Sequence, residues 1–156
     1  MPLRPESFDA LARDDQRKAA AQAFNLTWTL LEKDGRTREE DDLMMHSAHA
    51  SRFLWDAIGT PVNRTRGEWQ VSRVYSVLGR GEPALFHGRR CLELCEEHGA
   101  RDFDLAFAYE ALARAHQVAG DADESARYLE LARGAVEEIA DEEDKQHVLD
   151  DLATIG

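Results

Sequence analysis

A chain of 156 residues with 43% hydrophobic and 32% charged residues has the make-up of one folded domain rather than a disordered tail. Its formal net charge of −12 argues against nonspecific affinity for nucleic acid or anionic membrane. No apolar run approaches the roughly 20 residues that span a bilayer, and the first residues lack the apolar core of a signal peptide, so a cytoplasmic protein is expected.

Seven helices are predicted in chain order. The first follows Pro5, a favoured first-turn residue, and runs to Gly35, with or without a break near Asp14. The second opens on the Thr37–Glu40 capping box and ends at Gly59. Residues 59–65, GTPVNRT, read as a loop, because Pro61 and Asn63 resist helix. Thr65 with Glu68 offers a second capping box, opening a third helix that stops at Gly79. Pro83 is expected to open the fourth, ending around His98–Gly99, and Asp102 to cap the fifth, ending at Gly120. Asp121 with Glu124 starts the sixth, to about Ile139, and Asp141 the short seventh, with Val148, Leu149, Leu152 and Ile155 on its apolar side. No segment alternates with the period of a half-buried strand. The chain is therefore read as all-α, with short connections making successive helices antiparallel neighbours.

A repeat underlies this order. Superposing Gly79 on Gly120, a shift of 41 residues, places Val71 on Leu112, Ser72 on Ala113, Tyr75 on His116, Ala84 on Ser125 and Cys91 on Ala132. Large and small positions agree along both helices of the pair. One hairpin cannot bury its apolar face alone, so repeated hairpins imply stacking, with the seventh helix as a cap. The expected division is hairpins at about 6–58, 65–98 and 102–139 and a capping helix at about 142–155, within one domain over 1–156. A weaker match puts Gly35 at the first turn, 44 residues before Gly79, and Trp28 at a small position.

These hairpins resemble tetratricopeptide repeats. The later one carries Tyr109, Leu112, Ala113, His116, Gly120, Ser125, Leu129 and Ala132 at the family's positions, and the earlier one Val71, Ser72, Tyr75, Gly79, Ala84, Gly88 and Cys91. The spacing of 41 residues exceeds the roughly 34 of that family, so the resemblance is to a divergent form of it. The resemblance implies a short right-handed solenoid whose first helices line a concave surface that binds proteins or peptides. The family's groove-facing positions fall on Arg66, Trp69, Arg73 and Ser76, then on Phe107, Glu110, Arg114 and Gln117.

Two readings of those positions stand side by side. Arg66, Trp69 and Arg73 are spaced to share a helix face, and Arg73 is equivalent to Arg114. Two guanidinium forks beside an indole suit a carboxylate or phosphate with an apolar neighbour, hence an acidic peptide or a free C-terminal carboxylate, with Glu110 and Gln117 as polar contacts. Alternatively, Glu110 and other local acids pair the arginines, and Trp69 simply packs.

Charge is unevenly placed. Residues 61–90 hold six arginines against Glu68 and Glu82, whereas residues 91–156 hold five bases against eighteen acids. Docking of Arg66–Arg90 on the acidic 91–156 half of a second copy is a further option, giving a homo-oligomer that salt would weaken.

A competing function is a small enzyme or small-ligand or metal-binding protein with a polar pocket of His46, His49, Glu68 and Arg73, and with His87 on another helix. No HExxH, no phosphate loop and no nucleophile elbow accompanies them, so neither a cofactor nor a catalytic residue is assigned and a non-enzymatic role leads. The leading reading of these histidines is instead as partly buried, hydrogen-bonded helix residues. Cys91 and Cys95 share a helix face and read as buried free thiols, not as a zinc site. Phe24, Trp28, Phe53 and Trp55 read as core.

Overall fold

The computed structural model describes residues 12–156, so the part of the first predicted helix that precedes residue 12 lies outside the described residues. Seven helices follow: α1 Arg13–Leu31, α2 Arg38–Ile58, α3 Pro61–Val77, α4 Gly81–Glu97, α5 Phe103–Val118, α6 Ala122–Glu137 and α7 Glu142–Leu152. No strand occurs among the described residues, and none of their helices is long and apolar enough to cross a membrane.

Four of the seven helices, α2, α3, α6 and α7, start where a side chain replaces a missing backbone acceptor. Thr37 takes the Glu40 amide while the Glu40 carboxylate accepts from the Thr37 amide, the expected capping box. Asp121 and Asp141 accept from the amides of Glu124 and Asp144. Asp102 precedes α5 but makes no side-chain cap; it stands at φ 60° instead.

The expected loop at 59–65 is helical from Pro61. Thr60 is the N-cap, its hydroxyl accepting from the Asn63 amide while the Asn63 side chain accepts from the Thr60 amide. Pro61 sits in the first turn, where its absent N–H costs nothing. Thr65 bonds back to the Pro61 carbonyl, and Glu68 turns inward, so the predicted Thr65–Glu68 cap does not form and the second hairpin begins at 61 rather than 65. Likewise α4 begins at Gly81, before Pro83. An added Cβ at Gly81 would lie 2.8 Å from the Ala119 Cα, so the start of α4 abuts the end of α5.

Each helix packs on the next, and the first helices of successive hairpins also touch: α1 on α3, α3 on α5, α5 on α7. By contrast the backbones of α2, α4 and α6 do not approach one another, and α2 meets α4 only through side chains such as His49 and His87. The odd-numbered helices thus form one continuous layer. One apolar cluster, with Leu30, Met44, Ala48, Val71 and Val74, joins the first two hairpins. A second centres on Trp69, Phe107, the alanines of α5 and Val136, and is closed by Val148 and Leu152 of α7 and by Ile155 just beyond it. Leu149 stays 38% exposed, on the outside of that cap.

The 41-residue register has a three-dimensional counterpart. The Ser72 hydroxyl donates to the Ala84 carbonyl across the second hairpin, and the Ser125 hydroxyl donates to the Ala113 carbonyl across the third, both at 2.8 Å. Ala113 is the equivalent of Ser72, and Ser125 of Ala84, so the same crossing is bridged from opposite sides. The ring pair Tyr75–His87 stacks at 12°, and its equivalent His116–Tyr128 stacks at 11°, again with the two residue types exchanged. In the first hairpin the crossing is made by Thr27 and Ser47, hydroxyls 2.7 Å apart, not by Trp28. Gly88 has no Cβ because Leu112 and Ser72 approach it; an added one would lie 3.2 Å from Leu112 and 3.3 Å from Ser72.

Candidate functional site

The residues singled out on α3 and α5 divide into two groups. Arg73, Glu110 and Arg114 form a closed ionic cluster. Glu110 is fully buried and accepts from Trp69 Nε1 at 2.8 Å, Arg73 Nη1 at 3.0 Å and Arg114 Nε at 2.8 Å. Arg114 also donates to the Asp151 carbonyl at 3.0 Å and to Thr154 Oγ1 at 2.7 Å. Arg73 reaches Asp151 Oδ1 at 3.7 Å. Burial, with Glu110 adding to it, raises the Asp151 carboxyl above its ordinary range against the pull of Arg73 and Arg114. Arg73 and Arg114, two of the three candidate arginines for reading a partner, are therefore committed to Glu110 and the end of the chain around Asp151 and Thr154. A buried carboxylate needs such donors, since an unpaired charge there would be prohibitive.

Arg66 and Trp69 face elsewhere. Trp69, 7% exposed, lies 5.3 Å from Trp28 and 5.3 Å, edge to face, from Phe107. Phe107 is 4.7 Å from Phe103, again edge to face. Together with Phe24 these rings wall a cavity of about 170 Å³ in the odd-helix layer, between α1, α3, α5 and α7. Cys91 contributes from α4 and His147 from α7. The principal polar feature is an ion pair. Arg66 Nε donates to Asp104 Oδ1 at 3.0 Å, and the guanidinium lies 5.6 Å from the Phe103 ring centre. Arg66 is half exposed, standing where the cavity meets solvent.

Two helical aromatic pairs four residues apart, Phe24–Trp28 and Phe103–Phe107, supply most of this wall. That spacing puts both rings of a pair on one face. It was the available signal for the cavity; read as core, the first pair gave no hint that α5 would bring the second opposite it. Phe53, also read as core, is 44% exposed. Ser76 is buried, its hydroxyl making no hydrogen bond among the described residues, and Gln117 is exposed near the end of α5, so neither joins the cavity.

The histidine site assembles differently from expectation. Glu68 accepts from Arg52 Nε at 2.9 Å and meets His87 Nδ1 at 2.6 Å. His49 Nε2 and the Tyr75 hydroxyl are 2.9 Å apart, and the His49 and His87 rings are 5.5 Å apart. Burial pushes the Glu68 carboxyl up, but His87 and Arg52 outweigh it and hold the group below its usual range. Burial lowers His49, and His87 lowers it further. His46 is exposed, and Arg73 belongs to the Glu110 cluster, so neither completes a pocket here. The arrangement ties α2, α3 and α4 together. Among the described residues no group of three or more His, Cys, Asp or Glu is placed to hold a metal ion. Cys91 and Cys95 are buried free thiols, Cys91 raised well above its ordinary value by its hydrogen bond to Cys95 and by burial.

No protein-family model matches the chain, and comparison with curated proteins and with solved structures gives no match.

Proposed function

We propose that this chain is a non-enzymatic helical-repeat module, divergent from the tetratricopeptide architecture, that works in the cytoplasm by capturing a partner's peptide segment on its odd-helix layer. The observation that carries this reading is the aromatic cavity. Well-packed interiors leave few voids larger than a water, and this one is walled by rings and open to solvent. A single aromatic side chain of the segment enters it, and Arg66 and Asp104 contact the backbone or flanking residues. Arg73, Glu110 and Arg114 are scaffold in this reading, holding Trp69 and α7 in place.

Selection of displayed peptides on the purified protein tests it, with Thr65→Phe as a cavity-filling counter-screen and circular dichroism to verify its fold. Enriched peptides sharing one aromatic residue, and losing about tenfold or more in affinity for the variant, support the module. Equal binding to both proteins overturns the assignment of the cavity.

A further inference from the structure

The polar rim of the cavity carries information beyond the presence of an aromatic anchor. Arg66 uses only its Nε on Asp104; both of its Nη groups make no hydrogen bond among the described residues. Asp104 uses only Oδ1 on Arg66, and its Oδ2 likewise has no hydrogen bond among the described residues. Asp104 is fixed by its place at the start of α5 and by the Arg66 bond, and its side chain is 17% exposed. A ligand entering beside this pair meets one uncommitted carboxylate oxygen and one uncommitted guanidinium fork, of opposite charge and held together.

The chamber behind them sets the third requirement. Its volume of about 170 Å³ is close to the roughly 150 Å³ of an apolar protein cavity that accommodates benzene. Five of its wall residues are aromatic, so an apolar ring is favoured over a hydrated group. A simple aromatic acid would leave Asp104 facing a second negative charge, and an aromatic amine would leave Arg66 facing a second positive one. A ligand with both charges beside a single ring satisfies every group.

Deepening the reading of the cavity as the recognition element, we infer that it binds a free aromatic α-amino acid of the phenylalanine class. The ring enters between Trp28, Trp69 and Phe107, the ammonium meets Asp104, and the carboxylate meets the Arg66 fork. Such a ligand competes with a partner's aromatic side chain for the same space, which makes partner capture responsive to the amino acid.

The test follows tryptophan emission, in which Trp28 and Trp69 report from the cavity wall over the background of Trp55, excited where phenylalanine does not absorb, during titration with four probes. These are L-phenylalanine, 3-phenylpropionate, which lacks the ammonium, phenethylamine, which lacks the carboxylate, and the capped peptide acetyl-Ala-Phe-Ala-amide. The inference expects L-phenylalanine to bind at least about tenfold more tightly than either single-charge analogue, the effect of one charge-assisted hydrogen bond. Asp104→Asn removes the preference over 3-phenylpropionate, and Arg66→Gln removes the preference over phenethylamine. Equal binding of L-phenylalanine and both analogues overturns the inference, as does no saturable binding of L-phenylalanine at millimolar concentration. The capped peptide separates the two readings. If it binds as tightly as the amino acid, segment capture stands and the amino-acid site falls. If only the amino acid binds, the site stands and segment capture falls.

Discussion

Trp69 and Glu110 hold the same position in successive hairpins, 41 residues apart, and they are hydrogen-bonded to each other. The indole N–H of one repeat is capped by the carboxylate of the next, and that carboxylate also gathers Arg73 and its repeat-equivalent Arg114. A set of positions that could have faced a partner instead joins α3, α5 and α7.

Glu110→Gln should therefore cost roughly 3 kcal/mol, because it leaves two arginines partly buried without their anion. Urea unfolding followed by circular dichroism measures the loss; a change within about 0.5 kcal/mol would mean that the cluster is not structural.

Charge reversal separates the two arginines of α3. Arg73→Glu adds a third carboxylate beside Glu110 and Asp151 and should lower the thermal midpoint sharply. Arg66→Glu breaks a half-exposed pair and should cost about 1 kcal/mol or less. Comparable destabilisation by both would contradict the division drawn between scaffold and cavity rim.

The exchanged bridges predict matching energetics. Ser72→Ala and Ser125→Ala each remove one buried hydroxyl-to-carbonyl bond at equivalent crossings, and each should cost about 1 kcal/mol. Denaturant midpoints of the two variants would then shift by similar amounts with unchanged slope. A large loss in one and none in the other would show that the crossings are not equivalent.

Stability should fall on the acid side of neutrality. His49 is lowered by burial and by His87; His116 is lowered by burial, with Arg89 and Arg127 adding to it against Asp121 and Glu124. A depressed folded-state pKa gives stability that is complete above the unfolded value, about 6.5 for histidine, and is lost as pH falls toward the folded value. Glu68 has the same sign at lower pH, below the usual glutamate range. Asp151, raised by burial, has the opposite sign: its contribution is lost as pH rises through its folded value, so it does not produce the loss near pH 6. Urea midpoints from pH 8 to pH 5 should be flat, then decline, with His49→Asn reducing the decline. An unchanged decline in that variant would remove His49 as a cause.

Much of the helical order was legible because it rests on local chemistry. Thr37 with Glu40, Asp121, Asp141 and the turn glycines Gly79 and Gly120 act within a few residues of themselves, and both glycines take positive φ. The start of α3 differs from the expected one because two local rules compete there. Thr65 with Glu68 fits the capping box better by residue type, yet Thr60 with Pro61 and Asn63 forms it, and Glu68 is drawn inward by Arg52 and His87. The fate of Arg73 and Arg114 was one of two open readings, because their partners Asp151 and Thr154 arrive only when α7 folds back on α5. Asp104 carries no local signal of its role, which depends on Arg66, 38 residues away.

The central claim, that the aromatic cavity is the recognition element, is tested most directly through the three tryptophans. Trp28 and Trp69 line the cavity and Trp55 does not. Indole ¹H–¹⁵N correlations recorded during titration with a selected aromatic-containing peptide should show the Trp28 and Trp69 signals shifting together while Trp55 stays fixed. Saturable binding that moves Trp55, or leaves Trp28 and Trp69 unmoved, would contradict it.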